Sequence, residues 1–248
     1  MSVDANIYCG PFELLEPRGA GSVAVVWRAR HRTHGVPAAV KVIDTEKARN
    51  AEYQERFRRE VRSHARLNHP AIATVFDYGE IDGEAAVASE GELVAGSPYL
   101  AMEYTEGGTV GRDHRVRNWF HLRSILLQVL DGLAHAHARG VIHRDLKPAN
   151  IMLAPSSGDE TIAILIDFGI VQFSEDGSQT VGFVGTPMYS SPEQARFEDV
   201  DFRSDLYSFG MVLFHMLAGR PAFTHRNVTR LLSAHDSDPI PRLEEVAP

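Results

Sequence analysis

The octet HRDLKPAN at residues 143–150 constrains the fold more than any other part of the chain. Val141-Ile142 precede it and Ile151-Met152-Leu153 follow it. A solvated surface loop rarely has apolar walls, and a buried strand rarely carries three titratable groups in a row. His143, Arg144, Asp145, Lys147 and Asn150 therefore read as polar chemistry on a rigid apolar scaffold. An acid, a cation and an amide lie within hydrogen-bond reach of one point.

The rest of the composition says what surrounds that scaffold. A chain of 248 residues allows one large domain or two modest lobes. Its 44% hydrophobic and 23% charged residues are those of a globular protein. The 33 acidic against 25 basic residues, a net of −8, weigh against nucleic acid or an anionic membrane surface as partner. Cys9 is the only cysteine, which excludes an internal disulfide and suits a reducing compartment. The first residues, MSVDANIYCGPFELL, lack the basic-then-apolar order of a signal peptide. The apolar run 209–217 is too short to cross a bilayer. The expectation is a cytoplasmic chain with no membrane segment.

Two regimes of hydrophobic pattern follow one another. FELLE (12–16), VAVVWRAR (23–30) and PAAVKVID (37–44) are short, β-branched and separated by Gly-containing segments, the pattern of an antiparallel meander. A helix is expected over 51–68, with Phe57, Val61, His64, Ala65 and Asn68 on one stripe and His69-Pro70 as the stop. ATVFDYG and SPYLAMEY read as two further strands, with 82–97, rich in Glu, Gly and Ala, between them as an exposed loop or excursion. From Thr105 the pattern turns helical. Leu122, Leu126, Val129, Leu133 and Ala136 mark a helix over 118–139 closed by Gly140. IAILID (162–167) reads as a buried strand, and 204–219 as a buried helix with a Ser N-cap and Gly219 at its end. The fold class expected is α+β: a β-rich lobe over 10–104, a mainly helical lobe over 105–248, and a cleft between them.

Taken singly, the remaining signals have ordinary readings. GAGSVAVV (19–26) is either a Gly-containing turn or a loop whose small residues let backbone N–H groups approach phosphate oxygens. Lys41 in an apolar strand either snorkels to the surface or binds a ligand. Asp167-Phe168-Gly169 suits a strand-end turn.

Together they resemble the signature set of the protein kinase family. HRDLKPAN fits H-R-D-L-x-x-x-N, AAVK (38–41) is similar to V-A-I-K, DFG is unchanged, and SPE (191–193) stands for A-P-E. The motifs occur in the family's order between Phe12 and Phe223. Lys147 and GTPMYSSPEQ (185–194) resemble the serine/threonine branch, in its bacterial, eukaryotic-like (Hanks-type) form.

That resemblance implies a bilobal fold and ATP-dependent phosphoryl transfer to Ser/Thr hydroxyls of a protein substrate, with Mg²⁺ as cofactor and Mn²⁺ as a substitute. It implies that Lys41 holds the α/β-phosphates and pairs with Glu60, since a lone buried ammonium is unstable. Gly19, Ala20, Gly21 and Ser22 cover the phosphates. Val26, Ala39 and Met102 line the adenine pocket, and the backbone of Glu103 and Thr105 bonds its edge. Asn150 and Asp167 supply oxygen ligands to the metal. Asp145 accepts the substrate proton, and Lys147 offsets charge on the γ-phosphate. Arg144 implies control by phosphorylation of the segment 173–186, with Ser178 and Thr180 as acceptors. Thr186 resembles the substrate-loop Thr that bonds the catalytic Asp and Lys, and Asp205 the helix Asp that fixes the octet's backbone. Self-association for autophosphorylation stays open. So does a pseudokinase, a silent nucleotide-binding scaffold.

Three departures from the pattern stand out. Ala24 replaces the third loop Gly, which implies a weaker nucleotide clamp. His64 falls one turn after Glu60, where the family places an apolar residue; it is either a satisfied core histidine or a pH-sensitive element. The sequence stops at Pro248, before the family's final helices, so a truncated C-lobe is expected and Glu193 is expected to lack the Arg that normally pairs with it.

Overall fold

The structure, a computed structural model, describes residues 6–20, 24–43, 51–111, 118–155, 160–169 and 186–246. Gly21, Ser22, Ser178 and Thr180 lie outside the described residues. Two compact units result: Met1–Asn68 with Ala73–Tyr104, and His69–Ile72 with Thr105–Pro248.

Among the described residues of the first unit, six antiparallel strands form one sheet. They are β1 (Ile7–Cys9), β2 (Phe12–Ala20), β3 (Ala24–His31), β4 (Pro37–Ile43), β5 (Val75–Glu80) and β6 (Pro98–Glu103), in the order β1-β2-β3-β4-β6-β5. Alternation along β4 decides which face is the core: Ala38, Val40 and Val42 are buried with Phe12, Trp27, Ala29, Tyr99 and Ala101. Helix α1 (Ala51–His64) buries Phe57, Val61 and His64. It ends earlier than the apolar stripe suggested. After His64 the backbone turns, Leu67 N–H bonding the His64 carbonyl at 2.8 Å, so Leu67 becomes the buried residue while Ala65 and Asn68 face out.

Of the two expectations for the segment 82–97, exposed loop or excursion, the structure shows an excursion with a helix of its own. Asp82 caps a short helix, α2 (Gly83–Ala88), by accepting from Ala85 N–H at 2.7 Å. Ile81, Ala85 and Leu93 then join the sheet core. Apolar residues spaced across a polar stretch are enough to fold it back onto the sheet.

In the second unit α3 (Trp119–His137) buries Leu122, Ile125, Leu126, Val129, Leu133 and Ala136. Gly140 follows at φ +71°, a left-handed position that glycine takes at no steric cost. A hairpin of β7 (Ile151–Pro155) and β8 (Thr161–Leu165) packs on α3, where the Gln128 amide bonds the Thr161 carbonyl and the Ala163 N–H, each at 3.0 Å. Helices α4 (Pro192–Ala195), α5 (Phe202–Ala218), α6 (Val228–Ser237) and α7 (Leu243–Val246) complete the unit. The N-cap of α5 is Asp201, which accepts from Arg203 N–H at 2.8 Å, rather than Ser204. A carboxylate there also ion-pairs with the Arg203 guanidinium at 2.7 Å, and Ser204 is left free to use its hydroxyl elsewhere.

Candidate active site

The octet lies between α3 and β7, and pairing in the hairpin fixes what it meets. Ile151 pairs with Leu165, and the ladder continues one step, Ile166 N–H donating to the Asn150 carbonyl at 3.0 Å. That step sets Asn150 opposite Ile166, the residue before Asp167. Asn150 is buried, and its amide nitrogen donates to the Asp145 carbonyl at 2.8 Å and to Asp145 Oδ2 at 3.2 Å. Lys147 Nζ reaches the same Oδ2 at 2.6 Å. The Asp145 side chain keeps 18% of its surface exposed, so it is held without being sealed.

Beneath the octet lies a buried polar frame. Asp205, in the first turn of α5, is fully buried. Its Oδ2 accepts from the His143 N–H at 2.8 Å and from His137 Nε2 at 2.7 Å, and its Oδ1 accepts from the Arg144 N–H at 2.8 Å. His143 is also fully buried. Its Nε2 donates to the Ile166 carbonyl at 3.1 Å, its carbonyl accepts from Gly169 N–H at 2.8 Å, and its ring lies 4.5 Å from that of Phe168. Burial pushes its pKa down, against the pull of Asp205, Asp145 and Asp167, so the ring stays neutral. One imidazole thereby ties the octet to the D-F-G segment. Arg144 and Asp167 both hold positive φ, +64° and +57°. Such conformations cost about 1–3 kcal/mol each and cluster where a backbone must aim side chains.

In the first unit, cross-strand register gathers another group. Val26 pairs with Lys41, Lys41 with Leu100, and Ala39 with Met102. Val26, Ala39, Lys41 and Met102 therefore share one face of the sheet, opposite the core face. Gly19 pairs with Val26 and Ala20 with Val25 at the end of β2. Glu103 ends β6, its N–H bonded to the Thr74 carbonyl at 2.8 Å. Glu60 falls on α1 three residues after Phe57 and four before His64. Thr105 belongs to the second unit.

Past the D-F-G segment the chain is described again from Thr186. Among the described residues no hydrogen bond joins the Thr186 hydroxyl to Asp145 or Lys147. Its carbonyl accepts from Tyr189 N–H at 3.2 Å. Glu193 has a partner within its own unit: the Ser204 hydroxyl donates to its carboxylate. Burial pushes the Glu193 pKa up, but bonds from Ser204, its own N–H and Ser191 outweigh that and hold it below the usual range. Sequence motifs alone assign no role to the His143 ring or to Gln194. The S-x-x-Q spacing of Ser191 and Gln194 is a readable capping-box signal, and both of its bonds form.

A sequence profile of the protein kinase domain matches residues 12–245. The chain belongs to the protein kinase family. Among similar proteins, this kinase domain is 38% identical to the probable serine/threonine-protein kinase PknB of Bifidobacterium longum, over 92% of the chain and 33% of that protein. It is 39% identical to the serine/threonine-protein kinase PknB of Mycobacterium tuberculosis, over 93% of the chain and 36% of that protein. The chain thus spans about a third of the length of the curated relatives it matches. The crystal structure of a double mutant of the Mycobacterium tuberculosis PknI kinase domain superposes with a TM-score of 0.71 at 26% identity, covering 99% of this chain and 85% of that one. The α+β class and the kinase fold expected from the motifs agree with these likenesses.

Proposed function

We propose that this chain is an ATP-dependent protein serine/threonine kinase. The observation that carries the reading is Asp145, a partly exposed carboxylate gripped on one oxygen by Lys147 and Asn150. Among the described residues both side-chain donors fall on Oδ2, which leaves Oδ1 to accept a proton from an incoming hydroxyl.

The donor set suits Mg²⁺ and nucleotide. With its nitrogen bonded to Asp145, the Asn150 amide has its carbonyl oxygen for a metal, and Asp167, the residue after Ile166, is the proposed second ligand. Two hard oxygen ligands fit Mg²⁺, which completes its shell with phosphates and water. When bound, MgATP supplies the γ-phosphoryl group and the cation spreads its charge.

The residues then divide the work. Val26, Ala39 and Met102 offer an apolar wall to adenine, and the backbone of Glu103 and Thr105 bonds its edge. Gly19, Ala20, Gly21 and Ser22 approach the phosphates. Lys41, with Glu60 as counter-charge, orients them. Asp145 orients the alcohol and takes its proton, while Lys147 offsets charge on the transferred group. Arg144 answers phosphorylation at Ser178 or Thr180, and Thr186 belongs to the peptide-facing segment. The substrate is a Ser/Thr-containing protein, a second copy of this chain included. The cytoplasm is the proposed location; among the described residues no helix is long and apolar enough to cross a membrane.

The test is transfer of label from ATP in the presence of Mg²⁺ to a generic protein acceptor and to the chain itself. Wild type is expected to transfer, and Asp145→Asn to lose about a thousandfold in kcat with its fold intact. Equal label in both proteins, or none in either, refutes the reading.

A further inference from the structure

Gln194 makes contacts that no catalytic motif accounts for. Its Oε1 accepts from Ser191 N–H at 3.0 Å and from the Ser191 hydroxyl at 3.3 Å, closing the N-terminal cap of α4. Its Nε2 donates to the Arg144 carbonyl at 2.7 Å. The partners fix the amide's orientation, since Ser191 N–H can only donate and a carbonyl can only accept. Arg144 is the residue at φ +64°, directly before Asp145. Its peptide N–H is already held by Asp205 Oδ1 at 2.8 Å. The strained residue is thus gripped from both sides, by a buried carboxylate on its N–H and by the Gln194 amide on its C=O.

Resting on the kinase reading above, we infer that Gln194 is a positioning residue for phosphoryl transfer: its amide fixes the Arg144 carbonyl and so aims the Asp145 carboxylate. It also joins the octet to the segment that begins at Thr186, because the same side chain closes the cap of α4. A conformational change in that segment reaches Asp145 through one amide. Capping alone does not require glutamine. Glutamate serves the N3 position of a capping box equally well, its carboxylate accepting from the same Ser191 groups. What glutamate cannot do when ionised is donate to the Arg144 carbonyl. It would set two acceptors face to face.

Gln194→Glu therefore separates the two roles. The variant keeps the cap and reverses the contact to Arg144. Its kcat is expected to fall about tenfold or more, with KM for ATP and the melting temperature close to wild type. Because a protonated carboxyl can donate again, the ratio of variant to wild-type kcat is expected to rise as pH is lowered from about 7 toward 5, where a carboxylate begins to take up a proton. Ser191→Ala serves as the converse: the cap weakens and the melting temperature drops, while the Gln194–Arg144 bond and kcat remain. A Gln194→Glu enzyme with wild-type kcat overturns the inference and leaves the kinase reading standing. So does a loss of kcat that merely tracks a fall in melting temperature, or a ratio that stays flat with pH. Absence of transfer by the wild type overturns the kinase reading and this inference with it.

Discussion

Asp205 shows how one side chain can organise a site it need not touch chemically. Its carboxylate takes three bonds, two from consecutive backbone N–H groups and one from His137, inside a fully buried setting. A buried carboxylate is stable only when its oxygens are satisfied, and the backbone N–H groups of a left-handed turn are stable only when something accepts from them. Each need answers the other. Removing the acid leaves both N–H groups and His137 unsatisfied at once. Asp205→Ala is expected to cost about 3–5 kcal/mol. In a domain of this size that is a drop of roughly 6–20 °C in melting temperature, with phosphoryl transfer lost alongside. Asp205→Asn retains one acceptor oxygen and should fall between the two. A melting curve for Asp205→Ala within a few degrees of wild type would show that the turn holds itself.

At the scale of elements, close backbone approach is what the local sequence hides. Residues 107–110 run beside β7: Leu153 N–H bonds the Gly108 carbonyl at 2.8 Å, and Val110 N–H bonds the Ile151 carbonyl at 2.9 Å. Gly107 lies so near that a Cβ there would overlap the Leu153 carbonyl oxygen. Backbone, unlike a long side chain, cannot swing aside. Gly107→Ala is expected to cost about 2–4 kcal/mol, read as a lowered urea midpoint. Gly83, the first residue of α2, has open space where its Cβ would be. Gly83→Ala is expected to be neutral or to stabilise by up to about 1 kcal/mol. The sequence marks neither difference, since both are glycines in polar surroundings. It did mark β2, β3, β4, β6, α3 and α5, whose apolar period is long enough to read. It failed where an element is shorter than its period or is completed by distant residues. Helix α2 depends on the sheet core, α1 stops where Leu67 takes over burial, and α5 starts at an aspartate that also pairs with Arg203. In the site the same division holds. HRDLKPAN and DFG are contiguous and legible, whereas the bonds from His143 to Ile166 and Gly169, and from Gln194 to Arg144, join residues 20 to 50 positions apart.

Across the molecule, two electrostatic effects pull stability in opposite directions as pH falls. The net charge is −8 at pH 7 and the pI is near 5.8, so acidification toward the pI relieves self-repulsion and favours the compact state. Against that stand His143, His215 and His235, all in the second unit and all pushed below the ordinary imidazole value by burial. His235 is lowered to about 4; its Nδ1 meets the Tyr207 hydroxyl at 3.0 Å and its ring packs edge-on to Phe223. A histidine held neutral by folding binds its proton more weakly in the folded chain than in the unfolded one. Its contribution is therefore full above the ordinary value near 6.5 and is lost as pH falls from there through the folded value. For His235 the loss is on the order of 3 kcal/mol by pH 4. Relief of diffuse, screened repulsion is the smaller term, so the histidines are expected to win. Melting temperature should be highest near neutrality and fall steadily below pH 6.5, with no maximum at the pI. His235→Gln keeps a polar group facing Tyr207 and cannot titrate. It should shallow the acid limb while leaving the neutral-pH melting temperature within a few degrees. A stability maximum near pH 5.8, or an acid limb equally steep in His235→Gln, would show that net charge and not buried imidazole governs the response.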